Sequence, residues 1–102
     1  MHARVTEYRI RSGQVDQFTA TVDSLMPALH RLAGFRVLIV LRGPDRKAAE
    51  ATIISVWNTL EDLHASDNNV FINQALARLT GCCHGFPTLR EQEVLLSEFG
   101  NS

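Results

Sequence analysis

Residues 80-TGCCHGFP-87 set two thiols and an imidazole side by side between glycines. A zinc site needs about four N, S or O ligands in a tetrahedron. Cys82, Cys83 and His84 are consecutive and cannot readily converge on one ion, and no C-x-x-C or H-x-E spacing elsewhere completes a set. No metal is expected. Adjacent cysteines close almost no loop as a disulfide, and a thiolate is disfavoured just past a helix C-terminus, where the dipole is negative. The stretch therefore reads as a helix stop at Gly81 with small side chains tucked under the turn.

Other candidates are scattered. Imidazole titrates near neutral pH, which makes His64 a candidate general acid or base, although histidines on helix faces are more often exposed or held by a neighbour. Tyr8 is the second catalytic candidate. Trp57, the only tryptophan, ends a strand where a helix begins; it can wall a pocket or simply fill the joint between sheet and helix. Phe71, Asn73, Arg42 and Phe86 are further candidates for binding a substrate, and Arg36, Asn69 and His84 for lining the same cavity. No Ser-His-Asp arrangement, phosphate-cradling glycine loop or dinucleotide fingerprint occurs.

The elements that must position these residues follow from periodicity. In 3-ARVTEYRI-10 the residues Arg4, Thr6, Tyr8 and Ile10 alternate with Ala3, Val5, Glu7 and Arg9, as in a strand. After Ser12-Gly13 the step changes: Val15, Phe18, Val22, Leu25, Leu29 and Leu32 form a helical stripe. Pro27 should kink or divide that helix, and Gly34 suits its end. A second strand, 35-FRVLIVLRG-43, places Phe35, Val37, Ile39 and Leu41 on one face and Leu38 and Val40 on the other. Gly43-Pro44-Asp45 opens a turn into the polar connection 45-DRKAAEA-51, and 51-ATIISVW-57 is β-branched, a third strand. Asn58 is expected to cap a second helix, with Glu61 in the capping-box position. Ser66-Asp67-Asn68-Asn69 should interrupt it, and 70-VFINQALARL-79 continues it with Val70, Phe71, Ala75, Leu76 and Leu79. The segment 88-TLREQEVLLSEF-99 reads as the last strand, with Val94 and Leu96 opposite Leu95.

The order β-α-β-β-α-β is that of an α+β, ferredoxin-like fold with an antiparallel sheet. Two helices cover one face of such a sheet, yet the second strand is apolar on both. Its uncovered face asks for a partner, and a second copy of the chain is the economical one.

Composition agrees with one domain spanning residues 1–102. Apolar residues make up 45% and charged residues 21%, with net charge −1 from ten basic and eleven acidic side chains well mixed along the chain. That is ordinary for a globular protein and lacks the basic face a phosphate-backbone binder needs, so no nucleic-acid partner is expected. Nine of the ten basic residues are arginine. The longest apolar run, 37-VLIVL-41, is too short to span a bilayer, and no apolar block of signal-peptide length follows Met1. A reduced, cytoplasmic protein with no membrane association is the expectation.

In layout and local motifs the chain resembles the antibiotic-biosynthesis-monooxygenase-like family of dimeric α/β-barrel proteins, over about residues 3 to 98. The segments that carry the resemblance are 9-RIRSGQVDQF-18, 34-GFRVLIVLRGPD-45, 56-VWNTLEDLHAS-66 and 93-EVLLSEF-99. It implies a homodimer with a ligand pocket between sheet and helices in each protomer. The family includes cofactor-free oxygenases of aromatic polyketides, quinol-type oxygenases, haem-degrading enzymes and many proteins without a known reaction. Its haem-degrading branch carries an Asn on the first strand, a second Trp in the second helix and a His further along as iron ligand. Here those positions fall at Tyr8, near Ser66 and near Ala75, and His64 comes too early. Haem chemistry is not expected.

The resemblance implies a cofactor-independent, monooxygenase-like enzyme acting on a small aromatic or quinol-type metabolite, with neither metal nor flavin. The alternative is a non-catalytic dimer of the same fold that binds a small apolar ligand. An RNA-binding module of this topology would display aromatics on a central strand, and 34-GFRVLIVL-41 buries its only candidate.

Overall fold

In the computed structural model, which describes residues 1–44 and 49–100, the chain forms one four-stranded sheet in the order β2-β3-β1-β4. The strands are β1 (His2–Arg9), β2 (Phe35–Arg42), β3 (Glu50–Trp57) and β4 (Thr88–Glu93), and all neighbours are antiparallel. Helices α1 (Val15–Asp23), α2 (Met26–His30), α3 (Leu60–Ala65) and α4 (Val70–Gly81) complete the ferredoxin-like order. Most of the connection expected at 45–51 lies outside the described residues; Gly43 donates to the Glu50 carbonyl at 3.0 Å on either side of it. No helix among the described residues is long and apolar enough to cross a membrane.

Pro27 divides the first helix. It stands in the first turn of α2, where its missing N–H deprives the helix of nothing. The helical stripe is buried as the spacing requires, with Phe18 1%, Val22 3%, Leu25 6% and Leu29 4% exposed. Helix α2 already stops at His30, with Arg31 as its C-cap, so Gly34 does not end it. Gly34 instead makes the turn onto β2 at φ +78°, where a β-carbon would fall on the Asp62 carboxylate.

Three other expectations are corrected. The second strand carries a bulge between Phe35 and Val37, so Arg36 is the extra residue and the alternation restarts after it. Phe35 consequently pairs with Trp57 and packs with Leu38 on the helix side, not with Val37, Ile39 and Leu41. The cap of α3 is Thr59, whose hydroxyl accepts from the Asp62 N–H at 3.0 Å, and not Asn58. The last strand ends at Glu93, and Val94 N–H donates to the Met1 carbonyl at 2.9 Å just beyond it. Leu95, Leu96 and Phe99 follow it, all more than 80% exposed at 88%, 85% and 83%.

The interruption at 66–69 forms as expected. Ser66–Asn68 make one 3₁₀ turn, and the Asn69 side chain caps α4 by accepting from Ile72 N–H at 3.0 Å. Helix α4 buries Ile72, Ala75 and Leu79. The helices lie on the sheet face that carries Thr6 and Tyr8 of β1 and Ile53 and Trp57 of β3, and two apolar clusters fill the interface. One is built around Tyr8, Phe18 and Leu79, the other around Trp57, Leu63 and Leu29. On the opposite face the register aligns Val5, Ile54 and Ile39 in one row and Ala3, Val56 and Val37 in the next. No described helix covers that face.

Candidate functional site

Between the sheet and the helices lies a cavity of about 160 Å³. Its walls are mostly apolar: Trp57 and Ile53 from β3, Leu38 from β2, Leu25 and Leu29 from the first helical pair, Ile72 from α4. Polar atoms enter from Arg4, Thr6 and Tyr8 on β1, Ser55 on β3, and Ser66 and Thr80 on the helices. Alternation along β1 and β3 delivers these side chains to one face, and the 3.6-residue step of α4 delivers Ile72, Leu76 and Thr80 to the facing side.

Most of the hydroxyls are committed. Ser66 Oγ donates to the Leu63 carbonyl at 2.6 Å and Thr80 Oγ1 to the Leu76 carbonyl at 3.0 Å. Ser55 Oγ accepts from the Trp57 indole N–H at 3.1 Å, which fixes the ring that also meets Phe35 edge-on at a centroid distance of 5.4 Å. Tyr8 is 4% exposed and stands edge-on to Phe18 at 5.2 Å.

Burial pushes the Tyr8 phenol up to about 12, with the neighbouring Cys83 thiol adding to the effect. The phenol is therefore a hydrogen-bond donor at neutral pH and no base. Because its folded value lies above the ordinary phenol value, stability from this group is intact below about pH 10 and is lost as pH rises towards 12. Tyr8 is the only tyrosine. Alkaline titration followed by phenolate absorbance should show a single step near pH 12 in the folded protein, and a step near pH 10 with the fold intact would place Tyr8 in contact with solvent.

Beside the cavity, four charged or titratable groups form a chain. Arg4 makes a two-pronged pair with Asp67, Nη1 to Oδ1 at 2.6 Å and Nη2 to Oδ2 at 3.1 Å. Its Nη2 also reaches Glu91 Oε1 at 3.1 Å, and Glu91 Oε2 meets His64 Nε2 at 2.9 Å. The His64 contact, and then Arg4, hold the Glu91 carboxyl below the usual range, and the Asp67 bond raises Arg4 further above neutrality. This chain ties β1 and β4 to α3 and the 3₁₀ turn.

Of the residues singled out in the sequence, the structure brings Tyr8 and Trp57 to the cavity. His64 does not line it; its half-exposed side chain lies against Glu91. Phe71 is 71% exposed at the start of α4, and Asn73 braces the 3₁₀ turn by donating to the Asp67 carbonyl at 2.9 Å. Arg42 is exposed at the far end of β2. Phe86 and His84 border a separate, wider groove of about 630 Å³ with Glu7, Arg9 and Glu50. That groove is mostly polar, whereas an aromatic ring is better held by apolar walls. Arg4, Thr6, Ser55, Ser66 and Thr80 were passed over; strand alternation already places Arg4 and Thr6 beside Tyr8.

Cys82 and Cys83 are free and buried, and burial raises the Cys83 thiol. Their backbones stitch the end of β1: the Cys82 carbonyl accepts from Arg11 N–H at 2.8 Å, and Ile10 bridges Cys83. Among the described residues no three His, Cys, Asp or Glu side chains are placed to hold a metal ion.

Comparison with known proteins places this geometry. The family model described as antibiotic biosynthesis monooxygenase matches residues 1–78. The chain belongs to that family. No curated protein matches it in sequence. Among solved structures it is similar to SnoaB, a cofactor-independent oxygenase from Streptomyces nogalater, with TM-score 0.81, 12% identity and 94% of each chain covered. It is also similar to Rv0793 from Mycobacterium tuberculosis (TM-score 0.78, 10% identity, 94% of this chain and 96% of that one). A third likeness is NE2512, a protein of unknown function from Nitrosomonas europaea (TM-score 0.79, 13% identity, 99% and 95% covered). At such identities the likeness establishes the shared fold. In this antibiotic biosynthesis monooxygenase family member, the cavity between sheet and helices is the candidate site.

Proposed function

We propose that the chain binds a small aromatic or quinol-type metabolite in the cavity and supports its reaction with O₂ without metal or flavin. The observation that carries this reading is the mostly apolar space walled by Trp57, with its polar atoms confined to Arg4, Tyr8 and a few hydroxyls. Membership of the family and the likeness to SnoaB support it. For a 1,4-hydroquinone the balanced step is hydroquinone plus O₂ to hydroxyquinone plus water. One oxygen atom forms the new C–O bond, the other leaves as water, and the substrate supplies all four electrons. The protein would hold the ring, exclude bulk water and steady the developing oxyanion.

The lining contains no carboxylate and no imidazole, and the Tyr8 phenol keeps its proton. The substrate's own acidity must then supply the reactive anion, unless His64 leaves Glu91 to accept the proton. The same observation favours a second reading, a non-catalytic dimer that binds such a ligand. An oxygen electrode and ¹⁸O₂ labelling separate the two. Under the oxygenase reading, a panel of substituted hydroquinones gives uptake well above autoxidation, with one ¹⁸O atom per product. Binding heat without extra uptake leaves the binding protein, and no binding overturns both.

The helix-free face is read as the seat of a second copy, closing a dimeric α/β barrel. In its rows Val5, Ile54, Val56 and Val37 are half-buried, and Ile39 and Leu41 are 42% and 48% exposed, with no helix among the described residues packed over them. The free thiols of Cys82 and Cys83 suit a reducing compartment such as the cytoplasm.

A further inference from the structure

Trp57 is 2% exposed and carries an indole N–H that needs an acceptor. Ser55 Oγ supplies one at 3.1 Å, two residues back on the same face of β3. Both residues wall the cavity, with Ser55 opposite Arg4 of β1 on one side and Leu38 of β2 on the other.

A serine hydroxyl has one proton to give and two lone pairs to accept with. The indole occupies a lone pair and leaves the proton to be placed. Ser66 and Thr80, on the helix side of the cavity, give theirs to the Leu63 and Leu76 carbonyls. Among the described residues no acceptor takes the Ser55 proton. Ser55 is only half-buried, although β3 lies inside the sheet between β2 and β1. Its side chain is Cβ and Oγ alone and projects to the helix side with Ile53 and Trp57, so the surface it keeps open belongs to the cavity. Accepting from the indole also polarises the hydroxyl and makes its proton a better donor.

We infer that Ser55 is the specificity-determining residue of the cavity: it holds the Trp57 ring and donates its own proton to an oxygen of the ligand. The bonds then run in one direction, from indole N–H to Ser55 to ligand oxygen. This rests on the cavity being a small-molecule site, as proposed above, and adds the residue that reads an oxygen there. A carbonyl oxygen fits the donor. The oxyanion of an ionised hydroxyl fits it better, because a charged acceptor forms the stronger bond. The contact that orients the ligand thus also steadies the anion that meets O₂.

Apolar cavities of about 150 Å³ take up benzene, and this one measures about 160 Å³, so a single six-membered ring is the right size of probe. Cyclohexanone and methylenecyclohexane have nearly the same shape and differ by an oxygen in place of a CH₂. Dissociation constants for both are measured by ligand-observed NMR on the wild-type protein, Ser55→Ala and Ser55→Thr. In Ser55→Ala the ketone should bind about fivefold more weakly, the size of one neutral hydrogen bond, with the alkene changed less than about twofold. Ser55→Thr keeps a hydroxyl on a residue that suits a strand, and should restore the ketone to within about twofold of wild type. If Ser55→Ala weakens both ligands by the same factor, Ser55 only holds the ring, and its role towards the ligand falls while the cavity stands. If the wild type binds neither, the small-molecule reading falls and takes this role with it. Should Ser55→Ala fail to fold, the wild-type protein still decides, because Trp57 is the only tryptophan and gives a single indole ¹⁵Nε1–¹H resonance. That resonance should move further with cyclohexanone than with methylenecyclohexane at saturation; equal shifts overturn the assignment of Ser55.

Discussion

Trp57→Ala is expected to lower the unfolding free energy by about 3–5 kcal/mol, the range for deleting a large aromatic from a packed core. Trp57 is 2% exposed and packs in one cluster with Leu25, Leu29 and Leu63. It pairs across the sheet with His2 on one side and Phe35 on the other, so its loss is felt on three strands at once. Three further contributions act in the same direction: the edge-on contact with Phe35 disappears, Ser55 Oγ loses its donor, and the existing cavity next to the ring joins the new hole. For a domain of this size each 1 kcal/mol moves Tm by about 4–8 °C, so the midpoint should fall by at least about 12 °C. Urea unfolding at fixed protein concentration checks the free energy, since association would make the value concentration-dependent. A loss under about 1 kcal/mol would mean that the surroundings collapse into the space, and that Trp57 is no fixed wall for a ligand. Affinity for an aromatic ligand of the cavity should fall together with stability.

The order of elements was legible because the period of apolar residues changes at marked places. Alternation in β1 gives way to a three-and-four step after Gly13, Pro27 divides the first helix, and Ser66–Asn69 interrupts the second. What escaped depends on partners that a single strand or turn does not reveal. A bulge is defined by one strand's residue count against another's, so the switch at Arg36 that sends Phe35 to the helix side leaves no mark in β2 alone. Asn58 and Thr59 are both good caps by composition, and the position of the Asp62 N–H decides for Thr59. Val94 to Phe99 read like a strand by composition, but a strand needs a paired neighbour, and the ladder between β1 and β4 stops at the pair His2 and Glu93.

The site was legible on the strands and obscure on the helices. On a strand, neighbours at i and i+2 share a face, so placing Tyr8 also places Thr6 and Arg4. An arginine in alternation usually marks the solvent side; here Asp67 and Glu91 hold Arg4 at the cavity's edge. On a helix one residue is about 100° of rotation. Helix α4 turns Ile72, Ala75 and Leu79 inward, and that leaves the adjacent Phe71 outside however well its ring would suit a pocket wall. His64 follows Leu63, which is fully buried, by the same single step. Its ring therefore meets Glu91 on the outer side.

Ile54→Arg is expected to abolish dimer formation while leaving the protomer folded. Ile54 lies on β3, between Val5 of β1 and Ile39 of β2, in the middle row of the helix-free face. It belongs to neither core cluster, so an arginine there stays in solvent in the monomer. In a two-fold dimer packed through this face the substitution occurs twice, because the same patch serves both subunits. At about 2 kcal/mol for each disrupted central contact, the total of about 4 kcal/mol raises the dissociation constant by about a thousandfold. Sedimentation velocity should show a wild-type dimer at micromolar concentration and an Ile54→Arg monomer, with unchanged far-ultraviolet dichroism. Thr19→Arg, on the exposed side of α1, should remain dimeric and controls for added charge. A wild-type monomer, or an Ile54→Arg dimer as tight as the wild type, would remove the sheet face from the assembly. In that second case the exposed Leu95, Leu96 and Phe99 beyond β4 become the surface to substitute next.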